Sequence, residues 1–424
     1  MSSGDCGTTT VPARHRPLKR RTAGIAILIA AALLALATPA GASKLQYGIV
    51  PQDGALPSTA DLDMMPTGGI DSLRLMIPWG VVESTQGTYD WSSVDEMIRQ
   101  LIQRGITPYP FLYGTPSWAA KQDGRPCNGG ECAVYPPESG QTRAEFAAFA
   151  GAAAARYGPG GDFWKAPVTL LAVGAAADDP APEDCPLPII CPPPPPPPPP
   201  PPNPPPTGPP CGCTVARPIT TWQVWNEQNS PKYFAPKAQP RSYARILTET
   251  SAAIRAFDPN AQIILGGMWG PNSARKVVMP VTTYLKKLYA VTGVERSFDA
   301  IAIHPYAADA NDSVDELESA RRAVKKAHDS GVGMWVSEIG WAAGGPRSNP
   351  YVKGKAGQAQ VLTRALSAYQ RQRRSLHLRG VFWYSWRDKK GGNAICEWCG
   401  YAGLRAKSGS EKPAWKAFVR LARG

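Results

Sequence analysis

The sequence predicts an α/β fold, a parallel eight-stranded sheet closed into a (β/α)8 TIM barrel, and three observations carry that prediction. Short apolar, β-branched stretches alternate with segments of helical periodicity from Leu45 to Leu421, the pattern of crossover-connected parallel strands. The alternation runs through eight units, the count of the closed barrel. No glycine-rich phosphate turn follows an early strand, as the competing doubly wound open sheet would require.

The strands read as Leu45–Val50, Leu73–Trp79, Thr107–Tyr113, Thr220–Trp225, Gln262–Gly266, Ala300–Ile303, Met334–Ser337 and Gly380–Tyr384. Between the second and third, Val94, Met97, Ile98, Leu101 and Ile102 fall at helical spacing, so Trp91–Arg104 is an amphipathic helix stopped by Gly105. Thr142–Tyr157 is an alanine-rich helix, and Ser242–Phe257 a helix ended by Asp258-Pro259-Asn260. Helices follow at Val281–Val291, Val314–His328, Gln358–Arg371 and Ala414–Leu421.

Residues 1–42 stand outside this pattern. A basic stretch from His15 to Arg21 precedes the apolar run Ala23–Ala37, and Ala40-Gly-Ala42 offers a small-residue cleavage site before Ser43. That is the layout of a signal peptide, and its apolar run is shorter than the roughly 20 residues of a spanning helix. A secreted chain, residues 43–424 as one catalytic domain, is therefore expected. Nine cysteines agree with export. Cys6 would leave with the leader, Cys127 with Cys132 would close one short loop, and Cys396 with Cys399 another. Cys185, Cys191, Cys211 and Cys213 leave three pairings open. A zinc site from Cys211, Cys213, Cys396 and Cys399 has the wrong spacing for a ribbon, so no metal is expected.

The net charge is +13. Its lysines and arginines are scattered over predicted helix faces, as at Arg321-Arg322 and Lys325-Lys326, with no stripe of interleaved aromatics. Nucleic acid is thereby excluded as the expected partner, and a solvated surface with affinity for an acidic cell wall is expected instead, on a monomer. One segment, residues 175–213, is rich in proline and cysteine, with an unbroken proline run from Pro192 to Pro202. It would be stiff polyproline II, inserted between the third helix and the fourth strand, on the barrel face opposite the chemistry. The plain reading is an extruded spacer; a cell-wall binding segment is the sharper one.

In a barrel the chemistry sits at the C-terminal strand ends. Those ends hold Arg74 and Trp79 on strand two, Trp118 beyond three, Asn226 and Glu227 at four, and His304 and Tyr306 at six. Glu338 lies at seven, and Trp383 and Trp386 at eight. A lone glutamate is usually a solvated charge, but two on the same ends of one sheet are the equipment of glycoside hydrolysis, proton donor and nucleophile. Aromatic rings to stack on sugars, with Arg and Asn for hydroxyls, complete a carbohydrate site that needs no cofactor. The other residues also have structural readings: Trp383 and Trp386 as barrel packing, His304 as a hydrogen-bonded structural histidine, Glu83 as a solvated loop charge, Asp299 and Asp388 as caps or ion pairs.

With these motifs the chain resembles the clan A glycoside hydrolases, retaining (β/α)8 enzymes marked by Asn-Glu at strand four and Glu at strand seven, and within the clan it is similar to families 5 and 39. The resemblance covers nearly all of Leu45–Leu421 apart from the insertion. Trp225-Asn226-Glu227-Gln228-Asn229 departs from the commoner Trp-Asn-Glu-Pro at Gln228. The resemblance implies Glu227 as acid/base, Glu338 as nucleophile, Asn226 on the sugar 2-hydroxyl, Tyr306 bonded to the nucleophile and Arg74 holding it ionised. A non-catalytic carbohydrate-binding barrel and a transglycosylase using the same pair are the alternatives.

Overall fold

The computed structural model describes residues 45–127, 129–166, 168–171, 214–270, 278–389 and 396–424. The expected leader and the proline-rich insertion lie outside the described residues. The rest forms the expected closed barrel. Its strands are β1 (Gln46–Val50), β2 (Ser72–Pro78), β3 (Thr107–Tyr113), β4 (Thr221–Val224), β5 (Gln262–Leu265), β6 (Ala300–Ile303), β7 (Gly333–Ile339) and β8 (Leu378–Tyr384). All neighbours are parallel, and β8 returns to β1 in a register from Gln46 opposite Gly380 to Val50 opposite Tyr384.

The helices are α1 (Thr59–Thr67), α2 (Trp79–Val82), α3 (Ser92–Gln103), α4 (Ser117–Gln122), α5 (Gly140–Tyr157), α6 (Pro240–Arg255), α7 (Val281–Tyr289), α8 (Ala310–Lys326), α9 (Gly354–Leu376) and α10 (Pro413–Arg423). Local chemistry sets their ends. Ser139 accepts from the Thr142 N–H to start α5, and Asp309 accepts from the N–H groups of Asn311 and Asp312 to start α8. α3 buries Val94, Ile98, Leu101 and Ile102, one face of a 3.6-residue repeat, and Gly105 follows it at φ +71°. Small residues let α5 approach α6, where Gly151 faces Ala253 and Phe257. α1 lacked a clear apolar period and was not expected. Ser58 caps it, and Leu62 and Met65 carry it into the core.

Alternation along each strand divides the side chains between two layers. Inside the barrel lie Val50, Tyr109, Ile264, Ala300, Ala302 and Phe382, with Trp335 and Tyr384 packed on them. The strands' other faces join the helices in one large core that includes Leu73, Leu75, Ile77, Leu112, Trp222, Val381 and Trp383. On the way from α5 to β4, Val168–Thr169 pairs antiparallel with Thr214–Val215. This ribbon flanks residues 172–213. The Leu171 N–H donates to the Gln103 carbonyl and Arg217 to the Gly105 carbonyl, at the turn leading into β3, so the ribbon sits at the barrel's N-terminal end. Cys127–Cys132 and Cys396–Cys399 are disulfides. No helix among the described residues is long and apolar enough to cross a membrane.

Candidate active site

Six of the side chains singled out from sequence meet at the C-terminal mouth. Arg74, buried inside β2, is the hub. Its Nη1 pairs with Glu338 Oε1, its Nη2 donates to Asn226 Oδ1 at 2.8 Å, and its guanidinium lies over the Phe111 ring at 4.1 Å. The Tyr306 hydroxyl donates to the other Glu338 oxygen at 3.1 Å. His304 Nδ1 lies 2.9 Å from Glu227 Oε1, and its Nε2 lies 3.7 Å from Glu338 Oε1. One carboxylate oxygen of Glu227 and one of Glu338 are within 4.8 Å of each other. Both side chains keep one open aspect, at 13% and 15% exposure, while His304 is fully enclosed.

The backbone delivers these groups at a cost. After Val224 the β4 ladder ends, and Trp225 and Glu227 adopt left-handed φ of 70° and 42°, each costing roughly 1–3 kcal/mol for a residue other than glycine. Trp225 is anchored there: it is buried among Tyr113, Phe146 and Phe234, and its indole N–H donates to the Tyr233 carbonyl at 2.7 Å. The Glu227 N–H donates to the Gly267 carbonyl at 2.8 Å. Gln228, standing where proline is commoner, uses its amide instead, donating to the Gly266 carbonyl at 3.0 Å. Both links tie the Glu227 turn to the end of β5.

The two carboxyls have different electrostatic settings. Burial pushes Glu338 up. The positive charge His304 carries when protonated, the Arg74 guanidinium, and hydrogen bonds from Tyr306 and Arg74 outweigh burial and hold it below the ordinary glutamate range. Glu227 has His304 as its side-chain partner and faces two phenols. Tyr233 is pushed far up by the Glu227 charge first, then burial, then Glu338, and Tyr113 by burial and then Glu227. Tyr306 is raised by burial, then Glu338. These phenols stay neutral donors. Glu227, His304 and Glu338 are also the described residues best placed to offer three metal-ligating atoms. Arg74 already supplies a fixed cation to Glu338, so the set is organised around a protein charge.

The tryptophans are placed elsewhere. Trp79 is fully buried against Trp118, Phe146 and Phe149, and its N–H donates to Glu83 at 2.6 Å. Trp118 is half-buried in the same cluster and donates to the Glu83 carbonyl at 2.8 Å. Glu83 is thus a buried acceptor, not the solvated charge expected of it; burial raises its carboxyl despite the hydrogen bonds it accepts from Trp79 and the Gly87 N–H. Trp383 points outward, its N–H donating to the Ala402 carbonyl at 3.0 Å. Trp386 is buried edge-on against Trp415 of α10 at 5.2 Å. The aromatic rings that face the carboxylates are instead Tyr113, Tyr233 and Tyr306, with Trp398 packed against Tyr306 and Tyr384. Tyr113 and Tyr384 were readable by two-residue alternation from Tyr109 and Phe382; Tyr233 and Trp398 sit on loops with no periodic signal.

No family model matches the chain, and no curated protein does. Solved structures do match. A family 39 glycoside hydrolase from the gut symbiont Bacteroides cellulosilyticus aligns at TM-score 0.59 and 17% identity, over 89% of this chain and 63% of that one. A monomeric beta-xylosidase from Caulobacter crescentus aligns at 0.54 and 16%, over 89% and 67%. A GH5_18 enzyme from Bifidobacterium longum, in complex with Manb1-4GlcNAc, aligns at 0.52 and 15%, over 89% and 78%. The chain thus spans about two thirds of the length of the first two. At this identity the likeness is one of fold: a barrel similar to those of glycoside hydrolase families 39 and 5.

Proposed function

We propose that the chain is an exported glycoside hydrolase that cleaves O-glycosidic bonds of an oligo- or polysaccharide with retention. The observation that carries this reading is the Glu227–Glu338 pair, two carboxylates at one barrel mouth, close together and unequally partnered. Retaining enzymes hold their carboxyls about 5–5.5 Å apart and inverting ones roughly 6.5–9.5 Å, to admit a water; an oxygen of Glu227 lying within 4.8 Å of one of Glu338 supports the closer arrangement. Glu338, kept anionic by Arg74 and Tyr306, attacks the anomeric carbon as the glycosidic C–O bond breaks. Glu227, beside His304, gives its proton to the departing oxygen and then takes one from the water that releases the sugar. Asn226, its Oδ1 engaged by Arg74, has its amide nitrogen as the donor for a sugar hydroxyl. The two disulfides among the described residues support an oxidising compartment.

A panel of aryl glycosides and polysaccharides tests this. Glu338→Gln should abolish turnover of every substrate. Glu227→Ala should spare the glycosylation step for substrates whose leaving group needs no proton, and azide should restore turnover with the anomeric configuration kept. Near-parental activity in both variants would remove the pair from the chemistry, and an inverted first product would overturn retention.

A further inference from the structure

Tyr306 follows the last paired residue of β6, Ile303, so sheet pairing does not aim its phenol. Its ring is held from another part of the chain. Trp398 meets it edge-on, centroids 5.4 Å apart at 66°. Trp398 in turn stacks on Tyr351 at 5.0 Å and 29°, and the Tyr351 hydroxyl donates to the Tyr306 carbonyl at 3.3 Å. Trp398 also reaches Tyr384, at 6.3 Å, and is 8% exposed. It lies within the short loop closed by the Cys396–Cys399 disulfide. The turn after it is tied to the barrel twice: the Ala343 N–H donates to the Tyr401 carbonyl and the Lys389 N–H to the Gly400 carbonyl, both at 2.9 Å.

We propose that Trp398, clipped in place by the Cys396–Cys399 disulfide, is a positioning residue that holds the Tyr306 hydroxyl on Glu338. An aromatic pair in edge-to-face contact resists the ring rotation that would swing the hydroxyl away, and a covalent clip limits the backbone movement that would carry the indole off. Trp398 acts through Tyr306 and not on the reacting atoms. Its effect on turnover rests on the reading of Glu338 as nucleophile; its effect on the carboxyl itself does not. Because the clip is a disulfide, reducing it should loosen the nucleophile's donor without touching the nucleophile.

The test titrates the Glu338 carboxyl by NMR in protein carrying 13C-labelled glutamate, with E338Q assigning the signal. Y306F should raise the midpoint. W398L and the double variant C396S/C399S should move it the same way, W398F should stay near the parent, and Y306F/W398L should match Y306F alone, since both act through one contact. In parallel, kcat on an aryl glycoside should fall about tenfold in W398L, the scale of one hydrogen bond to a charged group, with KM nearly unchanged. Folded W398L and C396S/C399S proteins with parental titrations would overturn the proposal, as would a W398L effect that adds in full to that of Y306F. If W398L fails to fold, C396S/C399S decides by the same midpoint. Midpoints that move as expected in a protein that turns over no glycoside would keep the positioning role and sink the catalytic one.

Discussion

Arg74 does two things with one planar group: it neutralises Glu338 through Nη1 and fixes Asn226 through Nη2. A lysine ammonium is a point charge on a flexible stem and does not reproduce that fork. Arg74→Lys should therefore keep the fold, lower kcat by at least about tenfold, and move the acid limb of kcat/KM upward. The sign follows from the environment. Glu338 is held below the ordinary range by its donors against burial, so weakening a donor raises its pKa and protonates this carboxylate at a higher pH. Its ionisation contributes stability that is complete above the unfolded glutamate value of about 4.3 and is lost as pH falls through the lower folded value. Acid unfolding of Arg74→Lys, followed by circular dichroism, should begin at a higher pH than in the parent. Gly267 offers a second test at this scale. A Cβ there would lie 2.0 Å from His304 Nε2 and 2.6 Å from Ser337 Oγ, so Gly267→Ala must displace the histidine beside Glu227. Activity should fall far more than stability, as compared by turnover and melting temperature.

The tryptophan placements show how elements sort side chains. Two-residue alternation on β8 sends Phe382 and Tyr384 inward and Trp383 out to the helices. Trp79→Ala and Trp386→Ala should therefore act as core truncations, costing about 3–5 kcal/mol each in chemical denaturation while the protein that remains folded turns over substrate normally. Loss of turnover at unchanged stability would return either ring to the sugar cleft. The strands, most helices and the polar groups around the two glutamates were legible in the sequence, because apolar period and strand-end position are written locally. The aromatic rings were only partly so. Tyr384 follows from counting along β8, but a tryptophan at a strand end looks like a sugar platform and draws attention away from it. Tyr233 and Trp398 reach the site through loop geometry, with a turn bonded to Trp225 in one case and a disulfide in the other, and neither carries a period. Glu83 was misread because its surroundings are not local: the Trp79 indole bonded to it comes from the short helix just before it, but the layer around that indole comes from α5.

At the scale of the molecule the barrel separates its two ends. The carboxylates occupy the C-terminal mouth, and the ribbon of Val168–Thr169 with Thr214–Val215 sits at the N-terminal end. Replacing residues 172–213 with a short glycine-containing turn from Leu171 to Thr214 should leave kcat/KM on a small soluble glycoside unchanged, and a folded deletion that has lost that activity would refute the separation of faces. The ribbon has a further consequence. Since the chain is already brought back to its point of departure by backbone pairing, a longer connection there should cost little: doubling the length of a flexible loop costs only about 0.6 kcal/mol. The barrel should thus tolerate a change in the length of that connection. It should serve as a port at which sequence can be lengthened, shortened or exchanged without the opposite mouth registering the change, and a foreign domain spliced between Leu171 and Thr214 should leave the melting temperature of the barrel within a few degrees of the parent's.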